Sequence, residues 1–491
     1  MRILVVLAVV GRLIRMFAVA FVPPTLHALY EGHLETAGHF IIALAVTLLA
    51  GFVFAPFLER SSNLRRAEAL ATVAFTWFTI GLCGAIPYSL GGMPFVDAFF
   101  ESIAGFTTTG ATIITDFAAW DSSFFLWRSM TQWFGGLGII ALFVLVLPSL
   151  GIAGRQLFFA ESSAAPGETL SPQVRHAAKR LWLLYVGLTA LMTGLLVAVD
   201  VPFYDALCNS LTTLPAGGFS PHPQSIMGYA NPAMEWITTA FMFISGMSFP
   251  LVYVTLFRRP WAIVRDGEFL FYFGWFVALS LGISALLVRD APENAPMATE
   301  DAVRLAFFQV ASLMSSTGFA STDFNLWGDS SRALLIIALI IGGCAGSAAG
   351  GPKVVRLLLF CKHILRELGR VLHPRAIASI RFKGQIVPDD TMRAVLSLVA
   401  LYMASYLIVG TILVIDGADL VSGYSAALAT FGNAGPGLNE VGPMGSFANF
   451  SDFSKVVMTL GMWIGRLEII TVLALLHGHV LRNLRWRRFD V

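Results

Sequence analysis

Four short segments of this chain set a glycine behind small or hydroxyl-bearing residues. They are GFTTTGAT at residues 105–112, LPAGGFS at 214–220, SSTGFAS at 315–321 and GNAGPGL at 432–438. In the first, Thr107, Thr108 and Thr109 each offer a backbone carbonyl and a hydroxyl to one bound ion. Gly110 reaches the dihedral angles that turn carbonyls toward a common axis. Rings of backbone carbonyls that replace an ion's water shell are the chemistry of a selectivity filter. A single copy reads as well as an ordinary outer turn rich in small residues. Four copies about every 100–120 residues form a repeat signature instead.

The copies are unequal. The second has Leu214, Pro215 and Ala216 where hydroxyls are expected, followed by a Gly217–Gly218 doublet. The third ends in Thr317 and Gly318, and the fourth has Asn433 and Ala434 before Gly435. Loss of side-chain oxygens is tolerable where carbonyls coordinate, but it argues for a less ideal filter than a symmetric tetramer builds.

A second unusual segment runs from Gly342 to Pro352 inside a long apolar stretch and includes Gly343, Gly346, Gly350 and Gly351, with Lys353 following. In a helix interior each glycine costs about 1 kcal/mol and a proline about 3 kcal/mol, so the helix breaks here. A loop at membrane depth must line a wet cavity. Close helix packing through small residues is the competing explanation. A phosphate-binding loop ending at Lys353 is excluded, because Pro352 interrupts it and Val354 stands where Ser or Thr would hold magnesium. A third feature is Arg466, within the apolar stretch 456–475. An arginine at bilayer depth costs about 2.5–3.5 kcal/mol and faces a cavity or a partner. Glu468, two residues on, lies on a different helix face.

These segments need a membrane to hold them. The chain has 491 residues, 56% hydrophobic and only 13% charged, against roughly a quarter charged in soluble proteins. Runs such as 41–57, 181–199, 269–287 and 394–414 are long enough to cross the hydrocarbon core. Each glycine tip follows an amphipathic stretch too short to span, for example 96–103 and 204–212. A short helix in, a glycine segment out and a long helix on each side make a pore hairpin.

The expected fold is an all-α polytopic membrane protein with four pseudo-symmetric helix–pore-loop–helix repeats plus two N-terminal helices. The divisions are 1–66 for the N-terminal pair, 67–150 for repeat 1 and 151–257 for repeat 2. Repeat 3, with the intramembrane loop and a cytoplasmic linker, takes 258–392, and repeat 4 with a basic tail takes 393–491. About ten spans result. Arg12 and Arg15 follow the first apolar run without a small-residue cleavage site, so it reads as a span and not a secretory leader.

Cations concentrate in segments 175–180, 258–265, 362–383 and 482–488, whereas the tips lie among carboxylates such as Asp97, Glu101, Asp205 and Asp323. The positive-inside rule makes the basic side cytoplasmic, with both termini there and all four tips opening outward. Scattered carboxylates on an outer face read as a solvated rim, or as a mouth that concentrates cations. The net charge of +2 gives no nucleic-acid footprint. Cys83, Cys208, Cys344 and Cys361 have no metal spacing.

Three stretches carry a resemblance: DAFFESIAGFTTTGAT at 97–112, WRSMTQWFGGLGII at 127–140 and GGCAGSAAGGPKVVR at 342–356. They are similar to the TrkH/TrkG-like membrane subunits of the Trk potassium-uptake family, within the Trk/Ktr/HKT superfamily, over nearly the whole chain. The resemblance implies potassium translocation across the cell inner membrane through a single-chain four-repeat filter. It also implies a homodimer with a cytosolic TrkA-type nucleotide-binding ring, so that nucleotide acts only through a partner and no covalent cofactor is expected. Carried over, the filter residues are Thr108, Thr109, Gly110, Ala216, Gly217, Gly218, Thr317, Gly318, Ala434 and Gly435. The filter glycines fall on Gly110, Gly217, Gly318 and Gly435, with Gly217 and Gly218 ambiguous by one. The gate residues are Gly343, Gly346, Gly350, Gly351, Lys353 and Arg466, the arginine hydrogen-bonding the loop beneath the filter.

The alternative transporter is a proton- or sodium-coupled symporter, which calls for paired carboxylates or histidines inside spans. Glu235, Glu468, His477 and His479 are the few candidates. An enzyme is excluded, since no nucleophile, base and metal ligands cluster at one depth.

Overall fold

The computed structural model describes residues 2–54, 66–145, 172–291, 297–373 and 379–476. The basic tail and residues 146–171 therefore lie outside the described residues, as do Arg60, Arg65, Arg375, His477 and His479. The N-terminal pair is α1 (Ile3–Phe17) with α2 (Val22–Glu31), and α3 (Leu34–Phe54). Gly32, at φ 83°, ends α2 in the left-handed conformation that glycine adopts without a Cβ clash. These helices pack on α4 (Arg66–Leu90) and α6 (Ser122–Leu145). Stacking of Phe21 on Trp127, with centroids 4.6 Å apart, fixes one contact. The Arg2–Glu68 ion pair at 2.8 Å fixes another.

Four times along the chain a long outer helix is followed by a short helix, a glycine tip and an inner element. The outer helices are α4, α7 (Pro172–Ala198), α11 (Gly267–Asp290) and α15 (Asp389–Ile415). The short helices, expected as pore helices, are α5 (Phe95–Phe106), α8 (Phe203–Thr213), α12 (Thr299–Met314) and α16 (Leu420–Phe431). The inner elements are α6; α9 (Pro232–Ser245) with α10 (Phe249–Phe257); α13 (Asp329–Ile341) with α14 (Val354–Leu372); and α17 (Asp452–Arg466) with α18 (Ile469–Leu476). Each inner element packs on the pore helix of the following repeat: α6 on α8, α9 on α12, α13 on α16, and α17 back on α5. That last contact closes a ring.

Among the described residues six helices are long and apolar enough to cross a membrane, or seven if the bent pair α9–α10 is one span. Three of the four inner elements are broken. Sequence reading breaks only the third, yet the second bends by 106° between Ser245 and Phe249. The fourth breaks at Leu467–Glu468, where Glu468 has φ 63°. Pro250 at the start of α10 is a local start signal for a new helix; the break at Glu468 has no such signal. Among the described residues the only strands are Arg381–Phe382 and Gln385–Ile386, a small antiparallel hairpin in the linker.

Candidate cation pathway

The four pore helices end at the same place and in the same way. The amide of the residue before each tip glycine turns back onto the helix: Thr109 to Ala104, Gly217 to Thr212, Thr317 to Ser312 and Ala434 to Ala429, each at 2.8 Å. The next residue is left-handed in every tip: Gly110 (φ 79°), Gly218 (φ 78°), Gly318 (φ 83°) and Gly435 (φ 80°). Thr108, Ala216, Ser316 and Asn433, two residues earlier, are left-handed as well, at φ 52°, 60°, 56° and 53°. These matched dihedrals distinguish the two glycines of the second tip. Gly218 is the counterpart of Gly110, and Gly217 takes the place of Thr109.

The tips touch in cyclic order. A Cβ on Gly110 would strike the Gly217 carbonyl oxygen, one on Gly218 the Thr317 oxygen, one on Gly318 the Ala434 oxygen, and one on Gly435 the Thr109 oxygen. Each tip glycine thus lies against the carbonyl of the residue before the next tip glycine, around a closed ring. All four glycines also line one open bowl of about 520 Å³, with Thr112, Phe219, Ser220 and Pro436 in its wall. Each α-helix carries about half a negative charge at its C-terminus, and four such ends converge on the tips. The arrangement suits a cation stripped of water. Thr108 Oγ1 and Asn433 Oδ1, both buried, have no protein partner.

Behind the ring two carboxylates of α5 are paired. Glu101, expected on the solvated rim, is fully buried and accepts from Arg128 Nε at 2.8 Å. Asp97, placed on the same rim, accepts from Lys455 at 2.7 Å. A carboxylate in a pore helix meets a cation on a neighbouring inner helix, so these two groups brace the ring and do not decorate its mouth. Glu235 is likewise held by Arg304 at 2.6 Å. Of the four buried glutamates among the described residues, Glu68, Glu101 and Glu235 each face an arginine, and Glu268 accepts from a backbone amide.

Beneath the tips lies the loop between Ile341 and Val354. Gly342, Gly346 and Gly351 are left-handed, as is Lys353 at φ 66°. The loop is buried and its polar backbone is satisfied from many elements, as irregular backbone at membrane depth requires. Cys344 N donates to Gly246 O at 2.8 Å, and Phe249 N donates to Gly346 O at 3.1 Å. Ala345 N donates to the Glu268 carboxylate at 2.6 Å. Gly350 N donates to Ser316 Oγ in the third tip at 2.7 Å. A Cβ on Gly350 would strike Gly432 O, and one on Gly343 would meet Ala349 Cβ. Lys353 Nζ donates to Ala349 O at 2.6 Å, a role within the loop and not toward a phosphate. Arg466 Nη1 donates to Ala348 O at 2.8 Å. Glu468 turns away from Arg466 and pairs with Arg356 at 2.7 Å.

The structure therefore gathers Thr108, Thr109, Gly110, Ala216, Gly217, Gly218, Thr317, Gly318, Ala434 and Gly435 at one ring, and Gly343, Gly346, Gly350, Gly351 and Lys353 in the loop below it, which Arg466 contacts from the end of α17. Sequence reading missed Ser316 and Asn433 as members of the left-handed set, and Gln132 and Glu268 as supports. Arg128 and Gln132 stand four residues apart in an apolar helix, a same-face polar pair that could have drawn attention.

Residues 37–477 match the family model TrkH, described as cation transport protein. The chain is 35% identical over 481 residues to the Trk system potassium uptake protein TrkH of Vibrio parahaemolyticus, spanning 96% of this chain and 98% of that protein. It is 33% identical over 480 residues to the TrkH protein of Halomonas elongata, spanning 96% of this chain and 97% of that one. The crystal structure of the potassium transporter TrkH from Vibrio parahaemolyticus matches it with TM-score 0.89 and 32% identity, covering 99% of this chain and 100% of that chain.

Proposed function

This chain belongs to the TrkH family of cation transport proteins, and we propose that it takes up potassium through the ring of four tips. The observation that carries this reading is the cyclic contact of Gly110, Gly218, Gly318 and Gly435, each against a carbonyl oxygen of the next tip. Backbone carbonyls held by matched left-handed residues replace the ion's water shell. The loop from Gly342 to Pro352 acts as the gate below them, with Arg466 fastening it. The protein works in the cell inner membrane, termini inside, as a homodimer with a cytosolic TrkA-type subunit that senses nucleotide. The names of its relatives as parts of a Trk system support that assembly.

The test is rubidium uptake in a potassium-uptake-deficient strain. Gly318→Ser puts an atom against the Ala434 carbonyl at a left-handed position. It should lose uptake or potassium-over-sodium preference while membrane insertion is kept. Thr108→Ala, which removes a hydroxyl without a protein partner, should do less harm because the carbonyl stays. Unchanged uptake and preference in Gly318→Ser overturn the carbonyl-ring reading.

A further inference from the structure

We infer that Gln132 is the positioning residue of the second tip, a carboxamide lent by repeat 1 that substitutes for the hydroxyl the second tip lacks. The inference deepens the potassium-filter reading above and rests on it.

In the first and third tips a threonine precedes the ring glycine, and its hydroxyl is tied within the tip. Thr109 Oγ1 pairs with Thr107 Oγ1 at 2.7 Å, and Thr317 Oγ1 pairs with Ser315 Oγ at 2.7 Å. The fourth tip is anchored by Asn433, whose Nδ2 donates to Thr109 Oγ1 and to Met462 O, both at 2.9 Å. The second tip offers Pro215, Ala216 and Gly217, none of which has a polar side-chain atom. Gln132, fully buried on α6, fills the gap. Its Nε2 donates to Gly217 O at 2.7 Å, and its Oε1 accepts from Phe219 N at 3.0 Å. The orientation of the carboxamide is fixed, because Gly217 O can only accept and Phe219 N can only donate.

The two bonds straddle Gly218, the left-handed residue of the ring. A carbonyl oxygen has two lone pairs. Gln132 takes one on Gly217 and leaves the other for an ion, while setting the direction in which that carbonyl points. The glycine doublet then has two separate causes. Gly218 is required by φ 78° and by the Thr317 carbonyl against it. Gly217 leaves room for the Gln132 carboxamide, which a Cβ there would push out of its two hydrogen bonds. One turn away on the same helix, Arg128 Nη1 donates to Ser220 O at 3.3 Å, and its guanidinium lies 4.0 Å from the Phe219 ring centroid. A single helix of repeat 1 thus holds Gly217, Phe219 and Ser220 of repeat 2.

The test is rubidium and sodium flux by the full chain in membranes, with three variants. Gln132→Met keeps the volume and removes both hydrogen bonds. It should reach the membrane at the normal level and lose about tenfold in potassium-over-sodium preference, the scale of one net hydrogen bond. Gly217→Ser alone should lose uptake through its collision with Gln132. Gln132→Ala/Gly217→Ser, which restores a hydroxyl before the ring glycine, should recover at least about tenfold over Gly217→Ser. Unchanged preference in Gln132→Met, or a Gly217→Ser defect of equal size with and without Gln132, overturns the inference. Should Gln132→Met fail to accumulate, the two-site swap still decides. Wild-type flux separates the two levels: if the unaltered chain carries no rubidium, the filter reading itself fails. If it carries rubidium selectively and the variants behave alike, only the role of Gln132 fails.

Discussion

Arg466 and Ala348 are joined by one hydrogen bond of 2.8 Å, from guanidinium Nη1 to backbone carbonyl, across 118 residues of sequence. The bond fastens the end of α17 to the loop beneath the ring. Arg466 Nε and Nη2 are buried without a protein partner, so this one contact to the loop is where the side chain acts. A hydrogen bond to a charged group contributes about 1.5–3 kcal/mol, or roughly ten- to a hundredfold in a loop-in against loop-out equilibrium. Arg466→Ala should therefore raise basal flux within that range. Flux recordings check it; a correctly folded variant without flux would make Arg466 a residue of the transport cycle instead.

Ser316 gives a milder version of the same effect. Its Oγ accepts from Gly350 N at 2.7 Å, joining the third tip to the loop. Ser316→Ala removes that acceptor and leaves the tip backbone in place. Basal flux should rise several-fold, corresponding to about 1 kcal/mol for a neutral hydrogen bond, with potassium-over-sodium preference unchanged. A change in preference without a change in basal flux would contradict the coupling of tip to loop.

The Glu101–Arg128 pair predicts stability and not gating. Both side chains are buried, and the arginine also contacts Thr112 and Ser220 O. Removing one partner of such a pair costs about 3–5 kcal/mol, because the other charge is stranded. Arg128→Ala should accordingly fall in thermal stability far below Arg393→Ala, whose partner Asp390 is exposed, as is Arg393 itself, a surface pair worth about 0–1 kcal/mol. Replacing both members, as Glu101→Gln/Arg128→Met, should recover much of the loss. Melting of the detergent-solubilised protein measures all three.

The cations of segment 362–383 divide into two groups. Lys383 pairs with Asp266 at the start of α11 at 2.8 Å, and Arg366 Nη1 reaches Asp389 at 3.2 Å, so both are engaged within the protein. Arg381 lies exposed on the hairpin, its carbonyl accepting from Lys362. If a nucleotide-binding subunit docks here, Arg381→Ala and Arg370→Ala should weaken its co-purification, and Lys383→Ala should act chiefly by loosening the hairpin. Unchanged capture by Arg370→Ala and Arg381→Ala removes the described linker from the interface. Plain attraction to anionic lipid, about 1 kcal/mol per basic residue, would instead decline evenly with every cation removed.

Much of this protein is written locally. The apolar runs fix the outer helices, because burying twenty or so side chains in hydrocarbon is a sum over neighbours in sequence. Tip glycines and the break after Ile341 follow from backbone sterics at single residues, and their recurrence announced four repeats. Which glycine of the Gly217–Gly218 doublet enters the ring could not be read that way, since both permit a left-handed φ. The neighbours decide: Thr317 O lies against Gly218 and the Gln132 carboxamide against Gly217. The same holds for Glu101, which looks like a rim carboxylate until Arg128 closes on it, and for Glu468, which answers Arg356 from 112 residues away. Hydropathy and propensity are short-range sums and carry no term for a partner a hundred residues distant. Those partners appear only when the four tips close around one axis and α17 packs back against α5.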